Sequence, residues 1–307
     1  MFISLPVRFW LFVVFLIPSI FCSIFVLSYY LIKRKLRNAL HNQMLILIVF
    51  FDLFYQLTVI VSMAYFYRTG RPLFFTASYC LFWTFIDYTV YLIVIDLIVW
   101  MTIERHILIF HKTWHSTFQK RLLVHYIPMI VLIVYPILFY LYVFIIDSCN
   151  KLPDYTKSRC GYSACATRNS IVFVWDNVVN YMMSTLIFLI FGSALFLKIF
   201  YYKRRAQQQI RWRHCRKLII EFVPIFIIYF IISVPLLILN TAYASGVPMS
   251  VAADYYSFCM YFSYYGIFLT PIVTTYWLTM EFNQRSLFFQ RLRAIIVVRT
   301  RRIVPMK

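Results

Sequence analysis

Residues 80–106 read CLFWTFIDYTVYLIVIDLIVWMTIERH, an apolar run that opens on Cys80, carries Asp87 two turns in and closes on Glu104, Arg105 and His106. From Cys80 to Glu104, a rise of 1.5 Å per residue gives about 37 Å of helix. That is enough to cross a hydrocarbon core of roughly 30 Å. At about 100° per residue, Asp87 and Arg105 project in the same direction, and Cys80 lies within about 20° of them. One helix face therefore carries a cysteine near one membrane boundary, an acid at a depth a small ligand reaches, and an arginine at the other boundary.

The rest of the chain has the same apolar character. A mean hydropathy of +0.78, 63% hydrophobic residues and five glycines in 307 residues place it outside the range of soluble domains. Apolar windows at about 8–32, 42–67, 78–104, 122–146, 171–197, 218–242 and 253–279 are each long enough to cross a bilayer with some tilt. The expected fold is an all-α membrane protein, a seven-transmembrane helix bundle forming a single domain over residues 1–307. Phe9 to Leu31 is too long for a signal-peptide core and lacks a small-residue cleavage site, so it reads as the first span. After the last window, residues 282–298 mix arginines into an apolar run and read as a short amphipathic helix lying on membrane lipid.

Charge sets the orientation. Most of the 30 basic residues fall after spans one, three, five and seven, among them Lys33, Arg34, Lys112, Lys120, Arg204, Arg205 and Arg299. The positive-inside rule then puts the amino terminus outside and the carboxy terminus in the cytoplasm. The net charge of +20 is a cytoplasmic rim facing anionic lipid. Because these charges flank spans and form no single stripe, nucleic acid is a poor partner.

In this topology Cys80, Cys149, Cys160 and Cys165 lie outside, where disulfides form. Four cysteines allow three connectivities. The favoured one joins Cys80 to Cys165 and Cys149 to Cys160, with Cys80 to Cys160 the alternative.

The chain resembles the rhodopsin-like G-protein-coupled receptors over essentially its whole length, in a divergent invertebrate orphan branch. The cysteine-to-arginine spacing of span three is the specific part, and Ile103 to His111 carries the branch likeness. By this resemblance Cys80 bonds the second outer loop, and Glu104-Arg105-His106 takes the place of the Asp/Glu-Arg-Tyr triplet that meets a heterotrimeric G protein. Asp52 is similar to the family's buried span-two aspartate, Pro235 to the span-six kink, and Thr270-Pro271 to the start of the span-seven Asn-Pro-x-x-Tyr motif. Together these four are the implied conformational switch. The chain departs from the pattern at Ser233, where the family has tryptophan, and at Thr270 and Thr274, where it has asparagine and tyrosine.

An ionised aspartate within a span costs roughly 2.5–3.5 kcal/mol on insertion scales, so Asp87 should face the bundle and find a partner. Two partners fit: the cationic nitrogen of a ligand, which the resemblance implies, or a neighbouring tyrosine in a purely structural hydrogen bond. Tyr91, one helical turn further, and Tyr264, matching a supporting tyrosine in amine receptors, complete the expected ligand site. Span five offers Trp175 and Val179 where catecholamine receptors place serines, which argues against a catechol. Asp96 lies half a turn out of phase with Asp87 and should pair with a hydroxyl of span four or five.

Glu104 beside Arg105 supplies a carboxylate that can hold the guanidinium until a partner displaces it. His106, His111 and His115 cluster near the end of span three, but six histidines and few nearby carboxylates do not make a metal oxygenase. No phosphate loop, nucleophile elbow or paired catalytic carboxylates occur, so no enzyme activity, cofactor or metal is expected. The expected function is a plasma-membrane receptor that senses a small extracellular ligand, a cationic amine or a basic peptide, and activates a heterotrimeric G protein. The alternatives are a receptor for uncharged odorants, with Asp87 only structural, or a transporter or channel using Asp52, Asp87 and Asp96.

Overall fold

A computed structural model describes residues 4–110, 114, 117–146, 153–164, 170–204, 209–248 and 250–280. Among them every regular element is helical. Six helices are long and apolar enough to cross a membrane: α1 Leu5–Ile32, α2 Asn42–Thr69, α3 Ala77–Leu108, α4 Phe118–Phe144, α5 Ile171–Lys198 and α6 Phe222–Tyr243. Their outward faces carry large apolar side chains such as Phe21, Leu123, Ile171 and Ile231. Such a surface is stable against lipid and not against water. The chain is a multi-pass membrane protein.

The seventh window, expected as one helix over 253–279, is divided. α7 runs Ala253–Ser263, Tyr264 is a turn, and helical backbone resumes as α8 over residues 265–280. Several contacts mark the break. Pro271 has no N–H to offer the carbonyl of Ile267 four residues before it, and the Ile267 N–H tightens onto the Tyr264 carbonyl at 3.1 Å, a three-residue spacing. Gln56 of α2 satisfies the orphaned carbonyl, donating from Nε2 to Ile267 O at 3.1 Å and to Ser19 Oγ at 2.9 Å. Ser19 of α1 in turn donates to the Phe268 carbonyl at 2.9 Å. The kink is therefore fixed by two other helices. The amphipathic helix expected over 282–298 lies outside the described residues.

The arrangement places α3 at the centre. Its apolar window is 67% buried, against 22–50% for the other five, and it packs on α2, α4 and α5. α1 lies against α2, α5 against α6, and α6 against α7. Close approach depends on two glycines. A side chain at Gly192 of α5 would fall inside the Phe226 ring of α6, and one at Gly266 of α8 would meet the Tyr229 ring at 3.0 Å. Phe12 of α1 stacks on Tyr261 at 5.0 Å and meets Tyr67, Tyr264, Tyr265 and Phe268 edge-on. This aromatic cluster seats both halves of the broken segment.

Candidate functional site

The site begins with the loop between α4 and α5. Cys160 is bonded to Cys80, with Cα atoms 5.7 Å apart, which corrects the expected pairing of Cys80 with Cys165. Cys149 and Cys165 lie outside the described residues. The geometric reason lies in the segment Ser158–Ala164, where Arg159, Cys160 and Gly161 all take left-handed backbone, with φ of 53°, 52° and 71°. Two non-glycine residues in that region cost about 1–2 kcal/mol each. The loop holds them through bonds from Asp154 N to Cys160 O at 2.9 Å and from Cys160 N to Lys157 O at 3.0 Å. Asp154 closes the turn by accepting from Thr156 Oγ1 at 2.5 Å and pairing with Lys157 at 3.1 Å. These contacts, Thr156 foremost, hold its carboxyl below the usual carboxylate range.

That backbone sends the Arg159 side chain down into the bundle. Its Nε pairs with Asp87 Oδ2, its Nη2 donates to the Tyr264 hydroxyl, and its guanidinium lies 5.4 Å from the centre of the Tyr88 ring. The Tyr55 hydroxyl of α2 donates to the other Asp87 oxygen. Of the two partners expected for Asp87, the tyrosine is present, and the cation beside it is an arginine of the chain itself, which was not expected. Nothing in the local sequence around Asp87 foretells Arg159. Its one signal is its position directly before Cys160, readable only once the disulfide is known.

Asp87, Tyr91 and Tyr264, the three residues expected to bind ligand, line one cavity of about 240 Å³. Its other walls come from α5, from Ser233, Leu236, Leu237 and Asn240 of α6, and from Tyr256, Met260 and Ser263 of α7. Ser233, where the resembled family has tryptophan, leaves space at this wall.

α5 enters the cavity differently from expectation. Trp175 and Val179 are exposed on the outer surface, while Asp176, Asn177, Tyr181 and Met182 line the cavity. From Asp176 to Met183 the helix is π-wound. Bonding from i to i+5 adds one residue to each turn, so the pair 181 and 182 follows the pair 176 and 177 onto the same side. Asp176 Oδ1 accepts from Tyr140 of α4 and from Asn180, each at 2.8 Å. Asp96 points elsewhere and accepts from Ser184 Oγ of α5 at 3.0 Å, a span-five hydroxyl as expected.

At the far end of α3, Arg105 is buried, 2% exposed, in a small space walled by Tyr30, Leu45, Met101, Phe222 and Ile225, with Thr274, Trp277 and Leu278 of α8. Glu104 Oε1 lies 2.5 Å from His125 Nδ1 of α4, and His125 Nε2 lies 2.9 Å from Gln43 of α2. At least one oxygen of the acid expected to hold Arg105 is therefore engaged by a histidine, which binds α2, α3 and α4 together. His106 contacts Lys198 of α5 at 3.0 Å. Asp52 is fully buried and neither carboxylate oxygen has a hydrogen-bond partner among the described residues. Thr270 donates to the Gly266 carbonyl at 2.8 Å, and Pro235 lies within α6 beside the cavity-lining Leu236 and Leu237. Among the described residues no group of three metal-ligating side chains converges.

No family profile and no curated protein matches this chain.

Proposed function

We propose that the chain is a rhodopsin-like G-protein-coupled receptor of the plasma membrane, with its amino terminus outside and its carboxy terminus in the cytoplasm. In this reading α7 and α8 together make the seventh crossing, kinked at Tyr264. The observation that carries it is the two-ended layout of α3. One end borders a cavity of about 240 Å³ roofed by a disulfide-held loop, and the other holds Arg105 behind Phe222 and Ile225 of α6. A ligand in the cavity touches α6 at Ser233, Leu236, Leu237 and Asn240, on the same helix that covers Arg105 some ten residues away. Favouring an α6 position further from α3 uncovers the arginine for a heterotrimeric G protein, a shift set by differential affinity for the two positions.

The cavity lies just under the roughly 300–1,000 Å³ of drug-sized sites, which favours a small molecule over a peptide. An ion path through Asp52, Asp87 and Asp96 would have to pass the Arg159 guanidinium, so the transporter reading draws no support here. The experiment is a G-protein activation assay on cells expressing the wild type or Arg105→Ala, exposed to biogenic amines. A response that disappears in the variant at unchanged surface expression supports the assignment. Undiminished signalling refutes it.

A further inference from the structure

We infer that the anchor for a ligand's ammonium group in this cavity is Asp176 of α5, and that Asp87 is already neutralised from within. The inference rests on reading the cavity as a ligand site, and it names the chemistry of that site. Three ionisable groups with fixed sign line the space: Asp87, Arg159 and Asp176. Arg159 is spent on Asp87, since its Nε meets that carboxylate and its Nη2 is taken by Tyr264. Tyr55 supplies a further hydrogen bond to the same acid. A ligand cation arriving at Asp87 would have to displace a guanidinium tethered one residue from the Cys80–Cys160 bond, where the local concentration of the competitor is high.

Asp176 has no such partner. It is buried, 6% exposed, and its hydrogen bonds come from two neutral donors, the Tyr140 hydroxyl and the Asn180 amide. Both fall on Oδ1, and among the described residues no group bonds Oδ2. The two donors fix the carboxylate's orientation without cancelling its charge. With one guanidinium set against two acidic side chains, Asp176 is the acid in the cavity left without a counter-ion. Tyr181 and Tyr256 line the same cavity, and aromatic rings attract a cation over their faces. Ile95, Met182, Leu236 and Met260 are the apolar wall for the rest of the molecule. The ligand class is a small primary or secondary amine with an apolar or aromatic body, held by the ammonium at α5.

The test is direct binding of tyramine and tryptamine to the purified full chain in nanodiscs, read as a shift in thermal unfolding, with 4-hydroxyphenylacetate as the matched anion. The amines should stabilise the wild type, and the anion should not. Asp176→Asn should weaken amine binding roughly tenfold to hundredfold, the worth of one charge-assisted hydrogen bond. Should that variant fail to accumulate, Tyr140→Phe keeps the acid and removes a donor that orients it in its charged form, and it should weaken the amines. Unchanged or tighter binding there overturns the inference. So does amine binding retained in Asp176→Asn, or a wild type that no amine stabilises. The receptor reading fails separately: amine binding lost in Asp176→Asn, with no G-protein activation by the wild type, upholds the anchor and refutes the receptor.

Discussion

Removing Arg159 should expose how much of the fold depends on one loop residue. The guanidinium is 14% exposed and its partner Asp87 is 4% exposed, so neither relies on solvent for its charge. Arg159→Met keeps the length of the side chain and deletes the cation. Asp87 is left with the Tyr55 hydroxyl alone, an uncompensated buried carboxylate. Breaking such a pair from one side costs about 3–5 kcal/mol. At about 2 °C per kcal/mol for a chain of this size, the melting temperature should fall by roughly 6–10 °C. Replacing both partners, Asp87→Leu with Arg159→Met, removes the stranded charge as well as the attraction, and should recover most of that loss. The assay is unfolding in detergent followed by a thiol-reactive dye, for which the buried, unbonded Cys259 is a built-in reporter. Simple addition of the losses of Arg159→Met and Asp87→Leu in the double variant would refute the ion pair as a coupled unit.

Gln56→Leu strips the donor from the Ile267 carbonyl that Pro271 leaves orphaned, so it should lower stability by about 1–3 kcal/mol. Loss of the same size in a chain that also carries Pro271→Ala would show that the two are unconnected. Gly192→Leu drives a side chain into the Phe226 ring and should lower the melting temperature, and Phe226→Ala in the same chain should restore part of it. If Gly192→Leu instead leaves the protein as stable as the wild type, α5 and α6 are not in close contact. Non-reducing peptide mapping of the Cys165→Ser protein should still recover the Cys80–Cys160 linked pair, and its disappearance would return the assignment to the pairing with Cys165.

Six helices were legible because a bilayer demands some twenty apolar residues in a row, and the windows at 8–32 through 218–242 supply them. The turn at Tyr264 was not, because it depends on a proline seven residues downstream and on donors from Gln56 and Ser19, more than two hundred residues away in sequence. The clustering of Asp87, Tyr91 and Tyr264 on one cavity followed from helical phase and family resemblance. Tyr181 and Met182 could not be placed on the cavity from sequence, because an α-helical phase of about 100° per residue does not hold across eight π-helical residues. Arg159 was out of reach because it depends on which cysteine bonds Cys80, and connectivity is not encoded in spacing.

The bond between Cys80 and Cys160 closes a loop of 80 residues, a constraint worth about 4.5 kcal/mol in the chain-entropy picture. Its neighbour in sequence is the counter-ion of Asp87, so a reduced chain lacks the tether that holds its cation in place. Forming this one covalent bond thus also sets the charge balance of the cavity, and a chain with Cys80 partnered elsewhere would leave Asp87 without its counter-ion.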